Sequence, residues 1–557
     1  MKSPKEAAYE IAYWLANQLT LDGFPARTFY GESFCLWLWS QFPDEFSSEI
    51  TQIRPIALQK LNRNDIDGHP EFNLFALLEY CQTANLPITE LPSLDPKFRN
   101  TANSNWLLLG NLGRVLWNNL NQKEIYSQKV LYWHTKLLLR MQQQSDGLIR
   151  DDRLYSRQLP IPLLYGKGGQ LGIQYLPRLS NLSLQYHCFS LALLQKLYTE
   201  TDWPLTQHIK YGIDAILQFT LPNGDTNYLG RGQQQIFGYA ALLFVLSEFC
   251  KDTNNSTYAT KWHKIWRFFL SYQREDLSWP LVLRQDEKGF PEKVNISDPR
   301  WLGWYGYNNY FDYLPLLGAF LAQCDLPDIP SNLEQVHNTQ SLITDRHAVI
   351  EQKIWKGTIT KPEGALSHDQ PIPYLCVNGR SILPCYGGDE SQGGLYNLSM
   401  LPLPFFKLKD EKFIYLRSIL KWKLKSKSPT QVLLKGKGKW ATFTRLYEWT
   451  DNYIHFQDHL TIHPNHRTSP KNLLQVIPFQ FCCFQLHQLK SNHYEIFRNP
   501  IVTLHIKDLE KEPQLLEGYS PTSKLKIIRE QLDWSKQFRT HTQIEFTRNF
   551  SLSWTNQ

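Results

Sequence analysis

The first 323 residues show apolar positions at helical spacing. Between residues 5 and 19, apolar side chains recur on one face, which predicts an amphipathic helix. A second helix is predicted to begin at Gly31. Similar runs predict helices over residues 69–81, 105–120, 126–143, 183–198, 206–219, 233–249, 258–272 and 310–323.

Several of these helices follow one another in pairs. Residues 105–120 pair with 126–143, 183–198 with 206–219, and 233–249 with 258–272, and each pair ends in a polar turn and a short extended piece. Helical hairpins that bury one face against their neighbours can close into a ring of paired helices. We therefore expect an (α/α) toroid whose connecting loops surround one open cleft.

The period changes after the proline-containing stretch 326–330. Alternating or β-branched and aromatic runs, separated by turn signals, predict antiparallel strands over 347–360, 413–425, 431–447, 453–462, 473–489, 494–506, 524–531 and 542–554. The predicted fold class is thus an α+β multidomain protein. An all-α toroid domain occupies residues 1–326, and an antiparallel β-sandwich domain occupies residues 340–557.

Composition narrows the function classes. Hydrophobic residues make up 42% and charged residues 20% of the chain, which is typical of a soluble globular protein. The aromatic fraction of 14% is high and modestly favours a carbohydrate partner, since aromatic rings stack on sugar faces. A net charge of +7 without a basic block argues against nucleic acid, and no apolar run is long enough to predict a membrane span.

The cysteines point to a reducing compartment. Their number, 9, is odd, several lie in apolar runs, and none forms a CxxC pair, so we expect buried free thiols rather than disulfides or a zinc site. The N-terminal stretch carries Glu6 and Glu10 and lacks an uncharged apolar core, so no signal peptide is predicted. We expect a cytoplasmic protein that needs no metal or cofactor.

The stretch 223–239 is the first candidate for chemistry. Arg231 lies between two glycines directly before an apolar helix, so its guanidinium and the helix N-terminus would attract an anionic or polyhydroxylated ligand. Tyr228, Gln233 and Gln235 would crowd the same helix end. The alternative is a structural turn whose arginine pairs with a carboxylate.

A second candidate lies in residues 178–190. Asn181 or Ser183 would cap a helix, which places Gln185, Tyr186 and His187 near its first turn. A helix N-terminus disfavours imidazolium, so His187 would be neutral and available as a base. The alternative is a satisfied structural histidine.

A third candidate is the asparagine-rich stretch 99–106. It would place Asn105 and Trp106 at a helix opening, where they could contact a sugar. Simple N-capping by Asn103 or Ser104 is the competing interpretation.

Two aromatic or glycine-rich segments complete the set of candidates. In residues 301–312, Trp304, Tyr307 and Asn308 resemble a sugar platform, although an aromatic lid over the core fits equally well. In the β half, a long polar loop would bring Arg380 or Tyr386 over the helical cleft.

A helical toroid followed by a β-sandwich, with Asn181 and His187 at one helix end and Tyr228 and Arg231 at another, resembles the toroid-plus-sandwich polysaccharide lyases. This is the heparinase II/III, chondroitin, hyaluronate and oligoalginate lyase group. In place of the Asn-His pair common in that group, His187 here follows Gln185 and Tyr186.

The resemblance implies β-elimination on a uronic-acid-containing, anionic polysaccharide or oligosaccharide. The C5 proton beside a carboxylate becomes acidic only when the carboxylate charge is neutralised. Arg231 would do this, and a base would then take the proton while an acid protonates the leaving oxygen. Tyr228, its phenolate stabilised by Arg231, would be one of these groups and His187 its partner. Amides that would help neutralise the carboxylate are Asn181, Gln185 and Gln233.

Two other functions remain open from the sequence. A glycoside hydrolase on a helical barrel would need two carboxyl groups flanking the bond, and Asp146, Asp225 and Asp312 lie at suitable loop positions. A non-catalytic glycan-binding or exopolysaccharide-assembly protein would use the aromatic cleft without turnover.

Overall fold

Helices occupy the first part of the chain and antiparallel strands the second, as the sequence predicts. The computed structural model describes residues 1–26, 28–62, 69–90, 103–151, 183–230, 232–253, 255–283, 309–328, 341–362, 371–385, 401–470, 472–520 and 523–555. The helices are α1 (Pro4–Gln18), α2 (Gly31–Trp39), α3 (Ser47–Asn62), α4 (Pro70–Thr83), α5 (Ser104–Asn121), α6 (Gln128–Gln142), α7 (Leu184–Glu200), α8 (Thr206–Phe219), α9 (Ile236–Thr253), α10 (Ser256–Leu270), α11 (Tyr310–Ala322), α12 (Leu416–Ile419) and α13 (Gln537–Thr540), with a 3₁₀ turn at Ile88–Glu90.

Six of the helices form a closed inner ring. In the order α2, α4, α5, α7, α9, α11, each packs against the next, and α11 returns to α2. The inner helices α9 and α11 are buried along most of their lengths, whereas α8 and α10 on the outside bury one face. An all-round apolar helix must be surrounded by protein, so the hydrophobic pattern decides which helices lie inside.

The ring is closed by a carboxylate. Asp312 on α11 accepts hydrogen bonds from the backbone N–H groups of Phe29, Tyr30 and Gly31 at the start of α2, at 2.8–3.1 Å. It therefore satisfies N–H groups that the beginning of a helix leaves without an intrahelical partner. The last inner helix is tied to the first through this cap.

An ion pair lies inside the ring. Glu79 on α4 is 2.9 Å from Lys196 on α7, and both side chains are buried. The Lys196 ammonium also lies 5.0 Å from the Trp37 ring centroid and 5.4 Å from that of Phe244. Removing one partner of such a pair would leave a buried charge uncompensated. The contacts of Lys196 join the inner helices α2, α4, α7 and α9.

The strands form three antiparallel sheets. They are β1 (Leu342–Ile343), β2 (His347–Glu351), β3 (Trp355–Thr360), β4 (Tyr374–Val377), β5 (Arg380–Ser381), β6 (Phe405–Leu408), β7 (Phe413–Tyr415), β8 (Lys421–Ser428), β9 (Gln431–Lys437), β10 (Ala441–Trp449), β11 (Tyr453–Ile462), β12 (Leu473–Cys483), β13 (His487–Lys490), β14 (His493–Arg498), β15 (Ile501–Ile506), β16 (Gln514–Ser520), β17 (Ser523–Asp533) and β18 (Ile544–Trp554). The strand orders are β1-β2-β3-β4-β5 in the first sheet, β13-β14-β15-β18-β11-β10-β9-β8 in the second and β16-β17-β12-β6-β7 in the third.

The first sheet lies between the helices and the other two sheets. Val349, Tyr374 and Cys376 belong to the same apolar core as the helices, whereas their chain neighbours Ile350 and Leu375 belong to the core of the other sheets. Successive side chains of a strand point to opposite faces, so both faces of this sheet are covered. This explains why β3 and β4 are buried throughout instead of alternating.

A buried carboxylate joins the helical part to the first sheet. Asp225 follows α8 and accepts hydrogen bonds from the side chains of Gln234, Tyr239, Tyr374 and Ser381, at 2.7–3.2 Å. Tyr374 and Ser381 belong to strands β4 and β5. Burial raises the pKa of the Asp225 carboxyl, and these four donors oppose that shift.

Some elements differ from the sequence prediction. The helix α3 was not predicted, because its apolar positions are sparse and Pro55 lies inside it. The predicted strand 347–360 is two strands, β2 and β3, joined by a turn. The short strands β4, β5 and β6 and the longer β16 were also not predicted. The nine cysteines are free and buried, as expected, and none of the described helices has the length and apolar character to cross a membrane.

Candidate functional site

A cavity of about 230 Å³ opens where the N-terminal ends of the six inner helices meet. Each inner helix contributes at least one residue from its cap or first two turns. We call this cavity the mouth pocket. Its lining consists of Tyr30, His69, Phe72, Asn103, Asn105, Trp106, Asp151, Tyr186, Phe189, Phe237, Tyr313 and Leu316.

The position of the mouth pocket determines its electrostatics. Tyr30, His69 and Asn103 are the N-cap residues of α2, α4 and α5, and Phe237 is the second residue of α9. The N-terminus of an α-helix carries the positive end of its dipole and N–H groups without intrahelical partners. Six such ends surround one cavity, but the Asp312 carboxylate already caps α2 and the Asp151 carboxylate lies in the pocket wall, so any attraction for an anionic group comes from the other five helices.

Stacked rings form much of the pocket wall. The His69 ring stacks on Trp106 at 5.4 Å, and Tyr30 stacks on Phe72 at 5.1 Å. Tyr186 lies 5.4 Å from the ring of Phe237. Rigid apolar ring faces beside a few polar groups are typical of sites that bind sugars or other small polar molecules.

Asn105 provides a hydrogen-bond donor in the pocket. Its Oδ1 accepts from the backbone N–H of Trp106 at 2.9 Å, which orients the amide. Within the described part of the chain, its Nδ2 donates to no other residue. The neighbouring Asn103 instead donates from Nδ2 to the Asp151 carboxylate at 3.2 Å. The Asn105 amide can therefore donate to an anionic ligand.

Three of the predicted binding residues, Asn105, Trp106 and Tyr186, line this pocket together. They come from two stretches that the sequence separates by 80 residues, residues 105–106 and residue 186. Ser183 caps α7 as expected, by accepting from the Tyr186 backbone N–H. The predicted residues Asn181, Arg231, Trp304, Tyr307, Asn308 and Tyr386 lie outside the described residues.

His187 lies in the core instead of the pocket. Its Nδ1 accepts from the Ile149 N–H at 2.9 Å, so Nε2 carries the proton and donates to the Gly212 carbonyl at 3.0 Å. Burial lowers the pKa of His187 to about 4. The ring is neutral, as expected, but desolvation is the cause, and both nitrogens are used within the fold. The expected open position of His187 is corrected to a structural one.

Tyr228 is also placed differently from expectation. Its side chain is fully buried, and its hydroxyl donates to the Phe219 carbonyl at 2.8 Å and contacts the Thr358 hydroxyl at 2.7 Å. The ring stacks on Tyr374 at 4.4 Å. Burial raises the pKa of Tyr228 well above its usual value, the reverse of the predicted shift. Tyr228 thus joins the helices to the first sheet.

The predicted amides near the stretch 223–239 are buried as well. Gln185 donates to the Asn227 carbonyl, and its side chain packs against Gly238. Gln233 and Gln235 are only 1% and 2% exposed, and Gln235 forms a β-bridge with Val282. None of the three lines the mouth pocket. Arg380, which was expected over the cleft, is exposed on β5 and is not among the residues that line the mouth pocket.

The three aspartates considered for a hydrolase do not form a flanking pair. Asp225 joins the helices to the first sheet, Asp312 caps α2, and Asp146 accepts from the Leu148 N–H in its own turn. Among the described residues, the carboxyl group that lines the pocket is that of Asp151.

Sequence reasoning missed His69, Phe72, Tyr313 and Asp151. The signal that could have found His69 is its place directly before Pro70, at the start of an inner helix. Tyr313 lies one turn into the inner helix α11. Identifying them required knowing which helices form the inner ring. Within the described ranges, no group of three or more His, Cys, Asp or Glu side chains is arranged to hold a metal ion.

Comparison with known proteins bears on the fold. No family model and no curated protein matches the chain. Xanthan lyase from Paenibacillus matches with a TM-score of 0.52 and 8% identity, over 99% of this chain and 57% of that one. The chondroitin AC lyase of Streptomyces coelicolor A3 has a TM-score of 0.49 and 9% identity, over 100% and 79% of the two chains. A family 88 glycosyl hydrolase from Bacteroides vulgatus has a TM-score of 0.38 and 11% identity, over 58% and 98%.

The similarity to xanthan lyase extends over both the helical and the β part of this chain. At this identity it concerns the architecture alone. The predicted toroid-plus-sandwich fold of the polysaccharide lyases is therefore confirmed.

Proposed function

We propose that this chain is a polysaccharide lyase-like enzyme that cleaves a uronic-acid-containing polysaccharide by β-elimination in the mouth pocket. The observation that carries the proposal is the convergence of six helix N-termini on a cavity walled by aromatic rings. The helix ends attract a carboxylate, and the rings receive the sugar faces. The shared architecture with a xanthan lyase is consistent with this chemistry.

Asn105 is assigned to the substrate carboxylate. Elimination requires that negative charge accumulating on this group be stabilised as the C5 proton leaves. The Asn105 amide is oriented through its Oδ1, and its Nδ2 has no other acceptor among the described residues. Together with the helix N-termini, it replaces the guanidinium of Arg231 in the sequence-based hypothesis.

His69 and Tyr186 are assigned to the proton transfers. Both line the mouth pocket, and an imidazole and a phenol can each take or give a proton. We assign the C5 proton to His69 and the leaving glycosidic oxygen to Tyr186. His187 and Tyr228 are not assigned to these steps, because their polar atoms are used inside the core.

A hydrolase would need a second carboxyl group across the scissile bond from Asp151. Among the described lining residues Asp151 has no such partner. A hydrolase would therefore take its second carboxyl group from outside these lining residues.

The reaction is tested by incubating the protein with uronate polymers while measuring ultraviolet absorbance and reducing ends. Elimination produces both signals, since each cleavage leaves an unsaturated sugar, which absorbs, and a new reducing end. Tyr186→Phe and Asn105→Ala are each expected to lower kcat about 100-fold, the usual size of one acid–base or electrostatic contribution. The matched control Tyr13→Phe changes an exposed tyrosine and should retain full activity. Reducing ends without the new absorbance would refute the elimination.

A further inference from the structure

One outer sheet face carries a dense row of lysines. Strand β8 is an edge strand of the eight-stranded sheet, and β9 is its neighbour. Their register places Lys421 opposite Lys437 and Lys423 opposite Lys435. Lys425 continues the row, and all five side chains are exposed. We call Lys421, Lys423, Lys425, Lys435 and Lys437 the lysine face.

The sequence conceals this cluster. Trp422, Leu424 and Leu434 alternate with the lysines and point into the core, so the lysines are separated from one another along the sequence. The strand register therefore brings together charges that do not form a continuous basic run in the sequence. No aspartate or glutamate occurs between Glu411 and Glu448.

Repulsion within the lysine face lowers the stability of the folded state. Side chains directly opposite each other on an antiparallel pair lie about 4.5–5.5 Å apart at Cβ, and like charges there repel. Among the described residues, no carboxylate forms an ion pair with any of the five lysines. The positive charge is thus left for an external partner.

Protection of the sheet edge accounts for only part of this arrangement. Lysines on an edge strand prevent edge-to-edge association. Lys435 and Lys437, however, lie on β9, which is paired on both sides with β8 and β10. Their partners on β10 are Thr444 and Thr442, so a flat surface of ammonium and hydroxyl groups extends inward from the edge.

We propose that the lysine face binds an extended anionic polysaccharide chain. Ammonium groups at every second residue of a strand are spaced about 6.7 Å apart, which matches a linear polymer better than a single small anion. Trp422 and Trp440 are buried, so within the described strands β8 and β9 and the turn that follows them these indoles offer no platform on which nucleic-acid bases could stack. The choice of a polyuronate as ligand rests on the proposed function.

The test compares polymer binding by three forms of the full chain. The first is the wild type, the second carries K421Q, K423Q, K435Q and K437Q, and the third is a matched control with K123Q, K490Q, K511Q and K536Q, four exposed lysines elsewhere. The probe is long-chain polygalacturonate, titrated calorimetrically at two salt concentrations. Neutral dextran and single-stranded DNA serve as comparison ligands.

The lysine-face variant should bind polygalacturonate about tenfold more weakly at low salt, since each exposed ion pair contributes roughly a factor of two. Its affinity should also depend less on salt than that of the wild type. The control variant should bind as the wild type does. Equal affinity of the two variants, or tighter lysine-dependent binding of DNA than of polygalacturonate, would overturn the proposal.

The same titration separates this proposal from the proposed function. Short uronate oligosaccharides, which fill the mouth pocket but are too short to span the lysine face, should be turned over equally by all three forms. Lysine-dependent polymer binding without any turnover would support the lysine face and refute the lyase activity alone.

Discussion

At the scale of single residues, facing the cavity decides which polar side chains can meet a substrate, since Asn105 in the pocket is as buried as Gln235 outside it. The sequence indicates Asn105, Trp106 and Tyr186 as candidate binding residues, and these three lie at the starts of inner helices and line the mouth pocket. It also indicates His187 and Tyr228. His187 directly follows Tyr186 on α7, and Tyr228 lies in the loop before α9, but both side chains are buried in the core. A shift of one position on a helix turns a side chain by about 100°, because 3.6 residues complete a turn. Composition and spacing cannot resolve that rotation.

His347 is predicted to make the fold sensitive to acid. It is fully buried against Phe219, at a ring distance of 4.8 Å, and among the described residues neither ring nitrogen has a hydrogen-bond partner. Burial lowers its pKa to about 4, although the Asp146 carboxylate at 4.0 Å opposes the shift. The folded state therefore holds the neutral ring while the unfolded chain takes up a proton near pH 6.5.

Stability contributed by neutral His347 is fully present above pH 6.5 and is lost as the pH falls towards 4. His347→Phe keeps the ring packing and removes the titration. Between pH 7 and pH 4 the free energy of unfolding should fall in both proteins, and we expect the fall to be smaller in the variant by on the order of 3 kcal/mol. Urea denaturation across this range measures it, with the exposed His541→Phe as control. Identical pH profiles for the wild type and His347→Phe would contradict the assignment.

At the scale of elements, the stretch 223–239 has a structural role. Asp225 accepts hydrogen bonds from Tyr374 and Ser381 of the first sheet, and Tyr228 contacts Thr358 of β3. The sequence marks this stretch either as a ligand site or as a structural turn. It could not reveal that the polar groups face a sheet that begins more than 100 residues later, because the pattern along a strand does not show which element covers its faces.

Tyr228→Phe tests this structural role. The substitution removes two hydrogen bonds and leaves the Phe219 carbonyl and the Thr358 hydroxyl without their partner. We expect the free energy of unfolding to fall by about 1–3 kcal/mol, because unsatisfied buried groups are costly. Turnover per folded molecule should stay unchanged.

The matched control is Tyr453→Phe, since the hydroxyl of this partly exposed tyrosine makes no hydrogen bond to a described residue. It should leave stability within about 0.5 kcal/mol of the wild type. Loss of turnover in Tyr228→Phe without loss of stability would return the tyrosine to the mechanism.

At the scale of the whole molecule, the toroid-plus-sandwich architecture was predictable and the site only partly so. Helical periodicity followed by strand alternation specifies the two halves, because each period buries one face of one kind of element. The location of the pocket depends on ring closure, in which α11 packs against α2 through Asp312. This closure joins residues 281 positions apart and leaves no local trace in the sequence.

The closed ring also separates the pocket from the buried ion pair. Six helix N-termini face the cavity at one end, whereas the Glu79–Lys196 pair occupies the interior farther along the same helices. The proposed function has an anionic sugar bound at the mouth. The lysine face would then add affinity for longer chains without altering the chemistry.

The central claim is that the mouth pocket binds uronate sugars, and calorimetric titration with a short uronate oligosaccharide tests it most directly. Trp106→Ala removes the ring that stacks on His69 in the pocket, whereas Trp133→Ala removes an exposed indole from the outer helix α6. We predict that Trp106→Ala weakens binding about tenfold, the loss expected for one stacked aromatic ring, and that Trp133→Ala binds as the wild type does. Unchanged affinity in a folded Trp106→Ala protein would contradict the account.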